Sequence, residues 1–335
     1  MIFSTLLFLF SFTSCYQFAS AESVERVQLL MGTTARVKVW AADSATCDLA
    51  VDAAFAALVT VDRDMSTYRS DSQLTRLNRD GAGGWVQVGE PLLEVLTASD
   101  RFSQLTNGAF DPTVFPLIHL WGFRDGPLRL PTDEEIERTL RVTTGIRHLV
   151  LDLENGRARF ESQGVSIDLG GIAKGYALDI ARIAALEAGA FAGLVDLGGN
   201  LISFGKLADG LVAIQHPMRS GEILGSFRLA GESVATSGGY ENFVTIKGKK
   251  FGHIIDPRTG HPASGTESVT IVAAQGMAAD ALSTACFVMG PEACLGLISE
   301  LENTECVLVW LEGDSLNVRV SEGLTLIAPR SADVD

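Results

Sequence analysis

His148–Ala188, HLVLDLENGRARFESQGVSIDLGGIAKGYALDIARIAALEA, decides how this chain folds. His148–Leu153 and Arg157–Phe160 flank Asn155-Gly156, a pair that favours a tight hairpin turn. Val165–Asp168 reads as a short strand that ends in glycines and enters an Ala-rich helix over Tyr176–Ala188. A hairpin feeding straight into a strand–helix unit belongs to a mixed chain and not to a regular βαβ alternation.

The same mixture extends in both directions. Upstream, Arg26–Thr33 and Ala35–Trp40 read as strands around Gly32-Thr33, and Thr46–Val61 carries apolar residues at helical spacing. Pro91–Thr106 reads as a helix stopped by Asn107-Gly108, and Thr132 with Glu135 forms a capping-box pattern that opens another. Downstream, strands are expected at Gly193–Leu197, Leu211–Gln215, Ser233–Thr236, Phe243–Ile246, Ser268–Ala273 and Glu305–Leu311. Helices are expected at Ala278–Val288 and Pro291–Glu300. The expected fold class is α+β, with largely antiparallel or mixed sheets, packed helices, and one large catalytic domain over 22–335 with room for two lobes.

Composition narrows the function. The 335 residues are 47% hydrophobic, with ten Pro and no Gly/Ser-rich linker, which describes a globular core. A net charge of −15 repels phosphate backbones, so nucleic acid is not an expected partner. Such a protein must neutralise an anionic ligand locally, and a divalent cation does this directly.

The first 21 residues hold no charged side chain, and Ile2–Phe12 is almost continuously apolar, as in a secretory signal with small residues at Ala19-Ser20-Ala21. Cys15, after Phe12-Thr13-Ser14, loosely matches the box before a lipidated bacterial cysteine, so plain cleavage and lipid attachment both stay open. The expected location is the periplasm, with an inner-membrane anchor if Cys15 is lipidated. Cys47, Cys286, Cys294 and Cys306 fit no compact disulfide framework, and Cys286, in an apolar helical run, reads as a buried free thiol.

Several chemistries are excluded by what is missing. The sequence has no G-x-S-x-G, H-E-x-x-H or C-x-x-C, and its five histidines include no pair at i,i+4. Gly170–Gly175 lacks the Ser or Thr that must follow the lysine of a Walker A loop, and no Rossmann fingerprint is present.

Three segments remain. Asp168-Leu-Gly-Gly-Ile-Ala-Lys-Gly175 combines paired glycines, a helix start and Lys174, all suited to a phosphate; a tight turn with a solvated lysine is the alternative. Asp280 and Thr284, four apart, present a carboxylate and a hydroxyl on one helix face, as a hard cation requires; helix capping by Asp280 is the rival reading. His253 lies three residues before Asp256 in a stretch that also makes a good turn, which leaves His253 either a general base or a structural residue. Tyr68 and Phe110 could pack against flat rings of a ligand or simply fill the core.

Taken in order, the chain resembles the FAD:protein FMN transferase family. The resemblance rests on Met31-Gly-Thr33, Ser66-Thr-Tyr68, Gly108-Ala-Phe-Asp-Pro112, Trp121-Gly-Phe123 and Asp168–Gly175. It continues through Asp196-Leu-Gly-Gly-Asn200, Val234-Ala-Thr-Ser-Gly238, His253-Ile-Ile-Asp-Pro257 and Ala279-Asp280 to Ser283-Thr284. It implies a Mg²⁺ enzyme that takes FAD as substrate, releases AMP and attaches FMN to a threonine of an exported acceptor protein carrying a Ser/Thr flavinylation motif. Under the resemblance, Met31, Tyr68, Ala109, Phe110, Asp111, Asp168, Lys174 and Ile254 line FAD. Gly171, Asp280 and Thr284 hold the metal with Ser283 close by, His253 accepts the threonine proton, and Asp256 orients it. Two alternatives accompany this reading: an FAD pyrophosphatase giving FMN and AMP, and a flavin-binding lipoprotein without catalysis.

Overall fold

The computed structural model describes residues 21–124, 126–205, 210–239, 243–246 and 248–328. The segment expected to be cleaved or lipidated, including Cys15, lies outside the described residues apart from Ala21.

Strands β1 (Glu22–Leu30) and β2 (Thr33–Ala41) are joined by Met31-Gly32, both at positive φ (52° and 73°), the geometry that a two-residue hairpin demands. Helix α1 (Ser44–Met65) starts where Asp43 accepts the Thr46 N–H at 2.8 Å and fully buries Ala50, Val51, Ala54 and Leu58. There follow α2 (Gln73–Asp80), β3 (Val86–Gln87), α3 (Glu90–Leu105), α4 (Phe115–Trp121), α5 (Asp133–Thr143) and the hairpin β4 (Leu149–Asp152) with β5 (Arg157–Phe160). The second half contains α6 (Ala173–Glu187), β6 (Ala192–Leu197), β7 (Asn200–Phe204), β8 (Leu211–Gln215), β9 (Ile223–Arg228), β10 (Ser233–Gly238), β11 (Phe243–Ile246) and β12 (Lys249–Gly252). It ends with β13 (Ser268–Ala273), α7 (Gly276–Met289), α8 (Pro291–Ser299), β14 (Thr304–Glu312) and β15 (Ser315–Val320).

An eight-stranded sheet in the order β1-β2-β6-β7-β10-β13-β14-β15 forms the backbone of the fold. Every pairing among the described strands is antiparallel, which makes the protein α+β. Helices α1, α6 and α7 cover one face and enclose the main core. A second apolar cluster, around Phe227, Val234, Val272 and Val307, includes residues of β9, β10, β13 and β14. The starts of α6 and α7 meet backbone to backbone: a Cβ on Gly175 would lie 2.1 Å from the Gly276 carbonyl oxygen. Only glycine permits that approach, and it brings the Asp168–Gly175 loop onto the helix that carries Asp280.

The capping box of α5 is present in full, and the hairpin, α1, α3, α7, α8 and the long strands lie where periodicity puts them. Three readings need correction. Val165–Asp168 is extended but not a strand: the Ile167 N–H and C=O both bond the Asn78 side-chain amide at 2.8 Å, and the Asp168 N–H reaches the Pro112 carbonyl. A side-chain amide on α2 thus takes the place of a neighbouring strand. Helix α6 starts at Ala173, which puts Lys174 and Gly175 inside its first turn. Cys286 is not a free thiol, because it is bonded to Cys294 across the α7–α8 junction; Cys47 and Cys306 are free and buried.

Candidate active site

A cavity of about 1090 Å³ opens beside the Met31-Gly32 turn, between the residues after α1, the 109–115 segment, the Asp168–Lys174 loop, the end of β10, the 253–257 segment and α7. Met31, Tyr68, Ala109, Phe110, Asp111, Asp168, Gly171, Lys174, His253, Ile254, Asp280 and Thr284 all line it, although they come from six separate parts of the chain.

The loop wall is held from within. Asp168 accepts the Thr67 hydroxyl at 3.0 Å and the Gly170 N–H at 2.7 Å. A Cβ on Gly171 would sit 3.0 Å from the Thr284 hydroxyl and 3.4 Å from the Phe110 ring, so the bare backbone of Gly171 lies directly beside Thr284. Facing it, Asp280 accepts the Gly175 N–H and the Asn200 side-chain amide, each at 2.9 Å. Burial pushes the Asp280 carboxyl above its ordinary range, against the pull of the Lys174 charge and these two donors.

A buried carboxylate disfavoured by desolvation gains most from a neighbouring cation. The side-chain donors at hand are the Asp280 carboxylate and the Thr284 hydroxyl, both hard oxygens, with the Gly171 backbone beside them. Among the described residues no group of three or more His, Cys, Asp or Glu gathers to offer a softer or more highly charged site. The residues therefore fit an ion such as magnesium, which takes few protein ligands and shares the rest with phosphate or water.

Not every polar group in the wall is turned to the cavity. The Asp111 carboxylate accepts the Thr113 N–H and hydroxyl at 2.9 and 2.6 Å and the Ile146 N–H at 2.8 Å, so it fastens two loops together. Its burial, opposed by these donors, raises the carboxyl pKa.

Residues 31–308 match the ApbE family. The chain belongs to the ApbE family. It is 34% identical over 270 residues to the Escherichia coli (strain K12) protein named FAD:protein FMN transferase, across 78% of this chain and 76% of that one. The protein of the same name from Vibrio cholerae is 35% identical over 283 residues, covering 81% and 83%. The crystal structure of the ApbE protein of Thermotoga maritima is similar to this fold, with a TM-score of 0.82 at 34% identity and coverage of 90% and 98%. The flavin transferase ApbE from Vibrio cholerae gives 0.79 at 30% identity, again with coverage of 90% and 98%.

Within this ApbE-family site two expected residues stand apart. Asp256 does not line the cavity: its carboxylate accepts the N–H, Nε and Nη2 of Arg258, each at 2.9 Å, in a turn closed by the Gly260 N–H. A bidentate guanidinium two residues away thus engages that carboxylate and helps to form the turn. Ser283 is buried behind the wall, donating to the Asp280 carbonyl at 2.9 Å and lying 2.9 Å from the Ser237 hydroxyl.

Ser237 itself lines the cavity, 3.5 Å from the Thr284 hydroxyl. Asn200, Ser237, Thr67 and Arg124 were not singled out in the sequence. Asn200 and Ser237 sit inside Asp196–Asn200 and Val234–Gly238, so motif membership pointed to their neighbourhood. Thr67 likewise sits inside Ser66-Thr-Tyr68, whereas Arg124 lies just outside the quoted motifs and its bond to Thr67 spans 57 positions.

Proposed function

We propose that this ApbE-family chain transfers FMN from FAD to a threonine hydroxyl of an exported acceptor protein, releasing AMP. The observation that carries the reading is the meeting of Asp280, Thr284 and the Gly171 backbone with the Asp168–Gly175 loop on one cavity wall. The relatives named FAD:protein FMN transferase support it.

In this reading the threonine oxygen bonds to the flavin-side phosphorus, the bond from that phosphorus to the bridging oxygen breaks, and AMP departs with that oxygen. Mg²⁺ held by Asp280, Thr284 and the Gly171 carbonyl would neutralise the pyrophosphate and stabilise charge on departing AMP. Lys174, in the first turn of α6, adds positive charge where the helix start already favours an anion. His253, at the cavity wall, accepts the proton of the incoming hydroxyl. The nucleophile arrives on the acceptor, which is why the chain needs neither a serine elbow nor a catalytic cysteine.

Export to the periplasm belongs to the same proposal, with an inner-membrane anchor if Cys15 is lipidated. The apolar run Ile2–Phe12 and the Cys286–Cys294 disulfide support an oxidising compartment.

The test incubates the mature protein with FAD, Mg²⁺ and an acceptor carrying a Ser/Thr flavinylation motif. Released AMP together with a fluorescent acceptor band on a denaturing gel is the expected result. AMP without labelling of any of several acceptors would make water the nucleophile and the protein a pyrophosphatase. No AMP would leave a flavin-binding protein.

A further inference from the structure

We propose that Arg124 is a positioning residue that backs the Tyr68 ring as a platform for one planar ring of the dinucleotide and ties this platform to the phosphate loop. The inference rests on the proposed function and deepens it.

The geometry is compact. The Arg124 guanidinium carbon lies 3.2 Å from the centroid of the Tyr68 ring and 5.7 Å from that of Phe115. Its Nη1 donates to the Thr67 hydroxyl at 3.1 Å, and Thr67 donates onward to Asp168 at 3.0 Å. Asp168 in turn accepts the Gly170 N–H at 2.7 Å. One string of contacts therefore runs from an aromatic ring to the backbone that faces the proposed metal site.

Burial sharpens the point. Arg124 is only 9% exposed, whereas Tyr68 is 83% exposed and lines the same cavity. A tyrosine this exposed ordinarily samples several rotamers. Here one ring face is covered by the guanidinium, so the exposure belongs to the other face. Cation–π attraction holds the ring flat, and a flat open ring is what a heteroaromatic ligand stacks upon. Arginine suits this task better than lysine, because its planar fork can lie against the ring and still donate sideways to Thr67. The spacing between ring subsite and phosphate subsite is then set by the protein before ligand arrives, which lowers the ordering cost of binding.

The two halves of FAD separate this from a merely structural role. Calorimetric titration with FMN and with AMP, each in Mg²⁺, is run on the wild type, Arg124→Gln, Arg124→Lys, Tyr68→Ala and the double variant Tyr68→Ala/Arg124→Gln. Arg124→Gln is expected to weaken one half about tenfold and leave the other within about twofold. Arg124→Lys, which keeps the charge and loses the fork, should fall between. In the Tyr68→Ala background, Arg124→Gln should add no further loss. Equal loss for both halves, no loss for either, or additive loss in the Tyr68→Ala background overturns the proposal while leaving the proposed function intact. A wild-type chain that binds neither half, nor FAD, overturns the proposed function and this inference with it.

Discussion

At the scale of single residues the site turns on Asp280, whose carboxylate is buried, raised in pKa by that burial and oriented by the Gly175 N–H and the Asn200 amide. Asp280→Ala should lower magnesium-dependent AMP release at least about a hundredfold and abolish Mn²⁺ binding by electron paramagnetic resonance. Unchanged metal-dependent activity would refute the assignment. Asn200→Ala, one hydrogen bond behind the proposed ligand Asp280, should raise the Mg²⁺ concentration for half-maximal activity about tenfold with a smaller change in maximal rate. Asp280 and Thr284 could be singled out in the sequence because i,i+4 spacing is a local property of a helix. The bonding of Asp256 to Arg258 could not, since a carboxylate chooses its partner by distance and geometry in the folded chain.

At the scale of elements, two devices make separate claims. In the α5 capping box the Thr132 N–H, and after it Arg129, hold the Glu135 carboxyl below its usual 4.5. A carboxyl whose folded-state pKa is lowered stabilises the fold above its unfolded value, and that contribution is lost as pH falls through the folded one. The melting temperature of Glu135→Gln should therefore lie below that of the wild type at pH 7, with the gap closing below pH 4.5. A gap that does not narrow as pH falls below 4.5 would sink the linkage. The Cys286–Cys294 bond closes a separation of eight residues just beyond Thr284. By loop entropy it contributes about 2.5 kcal/mol, read as a lower guanidinium midpoint after reduction; coincident curves would show that the bond does not stabilise the fold. Long elements were legible because apolar periodicity accumulates over three or more turns. Helix α2, mostly polar, and short strands such as β7, β9, β12 and β15 were not, because each is fixed chiefly by the neighbour it pairs with.

At the scale of the whole molecule, a net charge of −15 means that folding brings like charges together. Raising NaCl from about 20 to about 200 mM should screen that repulsion and raise the melting temperature. A fall would mean that specific ion pairs outweigh the global charge. The same field repels FAD, so without a divalent cation its affinity should increase with salt. With Mg²⁺ bound, that dependence should flatten, because the ligand's charge is then met locally.

The sequence by itself determined the α+β class, the main helices and strands, the ordered motifs of a family and a carboxylate and a hydroxyl spaced one helical turn apart. Those features are local, or repeat in order along the chain, and therefore survive reading in one dimension. The tertiary structure alone decided that six separated segments share one cavity, that Gly175 and Gly276 bring two helix starts into contact, and that Cys286 is paired. It also decided that Arg124 lies under Tyr68 and is tied through Thr67 to Asp168. Such contacts join residues far apart in the chain, and their energies depend on distance and burial, which exist only once the sheet and its helices have closed around them.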